Sequence, residues 1–246
     1  MTQPRAYKTR GVVLRGRQLG EADRILTLFT TERGKLDAVA KGVRRPRSHF
    51  GGRVELFNEC DFLMHRGRSL DVIVSAEIAR AWWTQLVEPR RYEVVSVVGE
   101  LIDAFCEPDL ALPDVYELLV GAIGAIAVAE SPRILLPRFS LRLLEMLGLA
   151  PPLTTCVRCG EPLLSGQVWL DAAAGGVVDG ACRARWQELP ELQEADLENL
   201  RALALPKARK GVFRATPRAA AAIDELVAHH LGKRPKAVAA LGSLGA

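Results

Sequence analysis

Residues 11–53 read GVVLRGRQLGEADRILTLFTTERGKLDAVAKGVRRPRSHFGGR, and the fold is decided there. In the segment 34–43, Leu36, Ala38 and Ala40 alternate with Lys35, Asp37 and Lys41. A period of two places one set on a packed face and the other in water, the pattern of a half-buried strand. Segments 11–17 and 22–30 have the same β-rich character, and turn signals at 19–22 and 32–34 divide the three. Downstream, 53–67 and 69–80 supply two more candidate strands around an Arg-Gly-Arg turn at 66–68. The last should turn Val72, Val74, Ala76 and Ile78 to one side. Five short strands within residues 7–80 predict a small closed barrel of the OB type. Between the third and fourth strands, residues 44–53 form a basic stretch long enough to need a functional explanation, read here as a flexible loop.

From Trp82 the period changes to that of helices. Residues 88–107 start with Glu-Pro, 114–130 follow Pro113, and 132–148 end at a glycine in capping position. Residues 186–233 read as helical again, and the small-residue tail from Lys236 is expected to fray. The predicted class is therefore α+β and multi-domain. It has an OB-fold barrel over 1–80, a helical body over 81–150 and 187–246, and a zinc-ribbon-like insert over 151–186.

Composition narrows the function classes. A chain of 246 residues with 49% hydrophobic and 25% charged residues is neither disordered nor collagen-like. Five cysteines, an odd and scattered set, do not make a disulfide framework. The start MTQPRAYKTRG lacks the apolar core of a signal peptide, and 118–129 is too short to span a bilayer, so a cytoplasmic protein without membrane contact is expected. The net charge is only +4, yet residues 1–53 hold 13 Lys/Arg against 4 Asp/Glu. A basic first fifth on an acidic remainder suits a polyanion-binding module attached to a scaffold.

Three constellations can carry chemistry. Cys156-Val-Arg-Cys159-Gly160 is a knuckle able to aim two thiolates at one Zn²⁺, and Cys182 stands where a second such pair would end. Asp179 occupies the fourth position, and a carboxylate can also ligate zinc. Two alternatives follow: a structural Cys₃Asp zinc site, or an insert held without metal by Trp169, Val177, Val178 and Trp186. The second constellation is the basic barrel surface: Lys8, Arg10, Arg15, Arg17, Arg24, Arg33, Lys35, Lys41, Arg44, Arg45, Arg47 and Arg53. Basic side chains on such a barrel follow a phosphate backbone, and Phe50 is the candidate aromatic for stacking a base. The third is Arg133, Arg138 and Arg142 on an amphipathic helix, a basic rim that would accept an acidic peptide. Catalytic signatures are weak: the four His make no metal or triad spacing, and GRQLGE (16–21) is no phosphate loop. The protein is expected not to be an enzyme.

Along nearly the whole chain these pieces resemble the RecO family of bacterial DNA-repair proteins. The resemblance rests on the GEADRI turn, the Gly-Lys-Leu strand, the A-K-G-V-R-R exit and the Ser-x-Phe-Gly-Gly after it, then RILLPRFSLRLLEMLGLAPPLTTCVRCG and HHLGKRPKAVAAL. It implies a recombination mediator that binds single- and double-stranded DNA and anneals complementary strands. It further implies contact with the acidic tail of the single-strand-binding protein SSB, and loading of RecA together with RecR. Carried over by motif, Cys156, Cys159 and Cys182 would be zinc ligands; the departure at Asp179 puts that metal in question. Arg133, Arg138 and Arg142 would meet the SSB tail, and the protein would sit with the bacterial nucleoid. An RNA- or transcription-associated OB/zinc-ribbon adaptor is the alternative.

Overall fold

Strand β1 (Ala6–Leu19) is long enough to serve two neighbours. Its first half pairs with β4 (Glu59–His65) and its second half with β2 (Asp23–Thr30), and a register shift between Val13 and Arg15 bends it between the two. β3 (Gly34–Ala40) follows β2 through a tight turn, and β5 (Asp71–Arg80) pairs antiparallel with β4 and parallel with β3. The closed order β1-β2-β3-β5-β4 is that of an OB barrel. This computed structural model describes residues 5–163, 166–183, 188–206 and 214–244.

The alternation in β3 holds: Leu36, Ala38 and Ala40 are buried in the barrel core with Leu26, Leu28 and Phe62. The expected face of β5 does not. Ile73 and Ala76 point inward, while Val74 and Ile78 are exposed. A register shift opposite Leu63 and Met64 inserts one extra residue there, so strict alternation is lost. The fourth strand is also shorter than 53–67. Residues 41–58 form a chain of turns instead, and Phe50, Val54 and Phe57 of that segment are buried.

The chain divides into two compact units, residues 1–129 and 130–246. In the first, the barrel continues into α1 (Trp83–Leu86), α2 (Pro89–Phe105) and α3 (Pro113–Val128). The Glu88 carboxylate caps α2 by accepting from the backbone N–H groups of Arg90 and Arg91. Gly99 of α2 admits the Phe57 ring, which a Cβ there would meet at 2.8 Å. The segment between α2 and α3 lies along β3: the Asp109 N–H donates to the Lys35 carbonyl at 2.8 Å, and the Leu110 carbonyl fills the space where a Cβ of Gly34 would stand. At the buried Glu59, the Tyr116 hydroxyl of α3 donates at 2.9 Å and the Arg80 Nε stands 3.0 Å away.

The second unit opens with a 3-10 turn (Pro132–Leu135) and α4 (Leu136–Met146), closed by Gly148 in the left-handed region as expected. The insert holds β6 (Val168–Asp171) and β7 (Gly176–Val178), the two short strands expected around the 172–175 turn. A third strand, β8 (Glu191–Leu192), pairs with β6 where helix was expected. The helix begins only after Gln193, which with Asp196 forms the capping box of α5 (Glu194–Ala204). α6 (Pro217–Leu231) follows, capped by the Thr216 hydroxyl. The tail as far as residue 244 is packed, against the fraying expected. It forms α7 (Lys236–Leu241), buries Val238 and Leu244, and is tied down where the Asp224 carboxylate accepts from the Leu244 N–H at 3.1 Å. Among the described residues no helix is long and apolar enough to cross a membrane.

Candidate nucleic-acid interface and metal centre

The barrel has two ends. One carries the β1–β2 turn and the 41–58 segment; the other carries the β2–β3 and β4–β5 turns. At the first end the 41–58 segment is a built structure, not a flexible loop. The Gly42 N–H donates to the Asp23 carboxylate at 2.7 Å, and the Arg44 N–H donates to the Ala22 carbonyl at 3.0 Å. The Asn58 side-chain amide donates to the Gly52 and Arg53 carbonyls, each at 3.1 Å. The Arg53 guanidinium folds back onto the His49 carbonyl at 2.8 Å. Phe50, only 1% exposed, plugs the barrel core and so cannot stack a base; this corrects its assignment as an exposed aromatic. A benzyl side chain beside an open barrel mouth gains more from burial than from water.

The basic residues named from the sequence fall into two groups. The strand cations are paired. Arg10 makes a two-pronged contact with Asp61 at 2.8 and 2.9 Å, Arg15 lies 3.3 Å from Asp103, Arg17 3.1 Å from Asp37 and Arg24 3.6 Å from Glu55. Arg33 is engaged by Asp71 and Asp109, and Lys35 by the Asp103 carbonyl and carboxylate. These cations face carboxylates on neighbouring strands, on α2 and on the segments beside them, so their positive charge is largely answered by the chain itself. By contrast, Lys41, Arg44, Arg45 and Arg47 are exposed and have no ion pair among the described residues. Lys8 is likewise unpaired, at the opposite end of the barrel. Arg53, also exposed, adds its charge to the 41–53 rim while its donors brace the backbone. Sequence counting could not separate these groups, because the carboxylates that neutralise Arg10, Arg15 and Arg33 lie far away in the chain.

Tyr7 sits between two guanidinium groups, Arg33 at 5.5 Å and Arg66 at 5.2 Å from its ring centre. Its hydroxyl donates to Asp71, and burial together with that carboxylate pushes its pKa up to about 12. Burial alone would raise Asp71, but hydrogen bonds from Tyr7, the Gly67 N–H and Arg33 outweigh it and hold the carboxyl below its usual range. Arg66 was not among the residues named from the sequence.

In the second unit, Cys156, Cys159, Asp179 and Cys182 converge, with one ligand atom from each lying within 4.8 Å of the others. The knuckle turns Cys156 inward, where backbone N–H groups of Asp179, Cys159 and Arg158 outweigh burial and lower its thiol pKa. Asp179 is held by the turn that follows it: one carboxylate oxygen accepts the Cys182 N–H at 2.7 Å, and the other stands 3.6 Å from the Cys159 sulfur. That hydrogen bond leads the effects keeping Asp179 ionised below its ordinary pKa. Three sulfurs and one pre-oriented carboxylate oxygen are a donor set suited to a four-coordinate metal ion. A tetrahedron with bonds near 2.3 Å separates its donors by about 3.8 Å, so small side-chain adjustments would close it. The cluster could therefore hold a metal ion, with Asp179 standing where a fourth cysteine would be.

Packing supports the insert as well. Val177 and Val178 are fully buried, Arg183 lies 4.7 Å over the Trp169 ring, and Arg158 bridges Asp171 at 2.6 Å to the Cys182 carbonyl at 3.0 Å. Trp186, named from the sequence as a packing residue of the insert, lies outside the described residues. The other two cysteines are core: burial pushes the Cys60 thiol up to about 12 and Cys106 up to about 11.

Arg138 and Arg142 do not form an open rim. Arg138 donates to the Leu203, Leu205 and Pro206 carbonyls at 2.6, 2.8 and 3.2 Å, and Arg142 donates to the Ala204 carbonyl at 3.2 Å and to Glu145. They answer the carbonyls left unpaired at the C-terminus of α5, where the helix dipole favours positive charge. Arg133, on the preceding turn, also has a partner. The amphipathic pattern of α4 could not show that a second helix would present its end to this face.

Closed barrel, helical body and ribbon insert define an OB-fold protein carrying a metal-type cysteine knuckle. The chain belongs to the RecO family of DNA repair proteins. A family model described as the N-terminal part of recombination protein O matches residues 1–82, and one for its C-terminal part matches 87–237. The chain is 42% identical over 175 residues to the DNA repair protein RecO of Bifidobacterium longum, covering 70% of this chain and 72% of that one. It is 42% identical over 182 residues to the RecO of Bifidobacterium adolescentis, covering 71% and 73% of the two chains.

Proposed function

We propose that this protein is a non-enzymatic mediator of recombinational repair. It binds single- and double-stranded DNA and anneals complementary strands. Acting with RecR, it helps load RecA onto DNA coated by SSB, whose acidic tail it engages, and it works at the bacterial nucleoid. The observation that supports this most is the 41–53 rim: Lys41, Arg44, Arg45 and Arg47 stand unpaired on a loop anchored by Phe50. A rigid cationic rim holds phosphates without first having to be ordered. Zn²⁺ in the Cys156–Cys159–Asp179–Cys182 cluster would be structural, clamping the two halves of the insert.

The test is annealing of complementary oligonucleotides, each coated with SSB, followed by fluorescence quenching. The expected result is pairing accelerated by the protein and strongly slowed in the Arg44→Glu/Arg45→Glu/Arg47→Glu variant. Equal rates with and without the wild-type protein would refute the reading.

A further inference from the structure

At the end of the barrel away from the 41–53 rim, the β4–β5 turn is as rigidly made. The Gly67 N–H donates to the Asp71 carboxylate at 3.1 Å, and a Cβ at Gly67 would collide with the Leu70 carbonyl. The Arg66 N–H donates to the Arg5 carbonyl at 2.8 Å, which sets the two residues side by side. Arg66 lies over Tyr7, and Arg5 and Arg68 are exposed without an ion pair among the described residues. The exposed, unpaired Lys8 follows on β1 beside Leu63 of β4. Because Arg33 is engaged by Asp71 and Asp109, four further cations face solvent here against the exposed Glu32.

The two cationic ends are separate. β4 alone, from Glu59 to His65, spans about 20 Å. Its outer face with β1 forms a cleft of ≈ 810 Å³ whose charged lining is Lys8, Arg10, Glu32, Asp61 and Glu77, with Arg10 already paired with Asp61. A phosphate backbone laid along that cleft would meet three carboxylates against Lys8 as the one unpaired cation of its lining, so one strand does not join both ends by that route.

We propose that the β2–β3/β4–β5 end of the barrel, marked by Arg5, Lys8, Arg66 and Arg68, is a second phosphodiester-binding site, so that one barrel holds two strands at once. This rests on the 41–53 rim being a first site.

The experiment is a stoichiometric titration at low salt with a labelled oligothymidine of about ten nucleotides, short enough for one site. The wild-type chain should bind two per chain, and Arg66→Glu/Arg68→Glu should bind one with affinity within about twofold of the tighter wild-type site. Because Arg66 packs on Tyr7, the pair Arg5→Glu/Arg68→Glu is measured beside it, with melting curves on both, and should also bind one. One oligonucleotide per wild-type chain, or two retained by the folded variants, would overturn the second site. If one binds and reversal of Arg44, Arg45 and Arg47 abolishes it, the 41–53 reading stands and only this inference falls. If none binds, the 41–53 reading fails too.

Discussion

Phe50 shows how a single residue can mislead a sequence reading. Flanked by Arg47, His49 and Arg53, it has the surroundings of a base-stacking aromatic, yet it is the plug of the barrel. Phe50→Ala should cost about 3–5 kcal/mol of stability in urea unfolding. Phe50→Leu, which keeps an apolar plug, should leave oligonucleotide affinity within about twofold; a loss of tenfold or more would mean the ring touches bases. Asp71 is a second residue no local pattern identifies, because Tyr7 and Arg33 reach it from remote strands. Its folded pKa lies below the ordinary aspartate value of about 3.9, so its stabilisation is complete above that value and disappears as pH falls through the folded pKa. Asp71→Asn should therefore be less stable than wild type at neutral pH, with the gap narrowing below about pH 4. Thermal melting across that range checks it, and a gap independent of pH would contradict it.

At the scale of elements, what could be read depended on how local the signal was. β3, the Gly148 helix stop and the ribbon hairpin each declare themselves within a dozen residues, through alternation, a capping glycine or a turn. The β5 bulge, strand β8 and the docked helix α7 depend on partners elsewhere: a β4 register, the β6 edge and the Asp224 carboxylate. The knuckle was legible as spacing, and the structure adds that the Cys182 N–H fixes the Asp179 carboxylate. Elemental analysis of purified protein should give about one zinc per chain. Asp179→Cys should retain it, whereas Asp179→Ala should weaken retention by roughly tenfold or more, since even outer partners of a metal ligand are worth 10–100-fold. A metal-free wild type with an intact fold would leave Arg158, Asp171 and the buried valines as the clamp.

Over the whole molecule, the charge imbalance of the first 53 residues was visible at once, but its use was not. Much of that positive charge is matched to Asp37 and Asp61 on the barrel, to Asp103 on α2 and to Asp109 just beyond it. What remains for a partner is concentrated at the ends of the barrel, chiefly on the 41–53 rim. The decisive measurement is the salt dependence of binding to unrelated single-stranded oligonucleotides, since each neutralised phosphate adds about 0.7 to the slope of log affinity against log salt. Reversing Arg44, Arg45 and Arg47 should reduce that slope by about 2, whereas Arg10→Gln with Arg17→Gln, at paired positions, should leave it unchanged. An unaltered slope in the triple variant, or a fall in the paired-residue variant instead, would contradict the account.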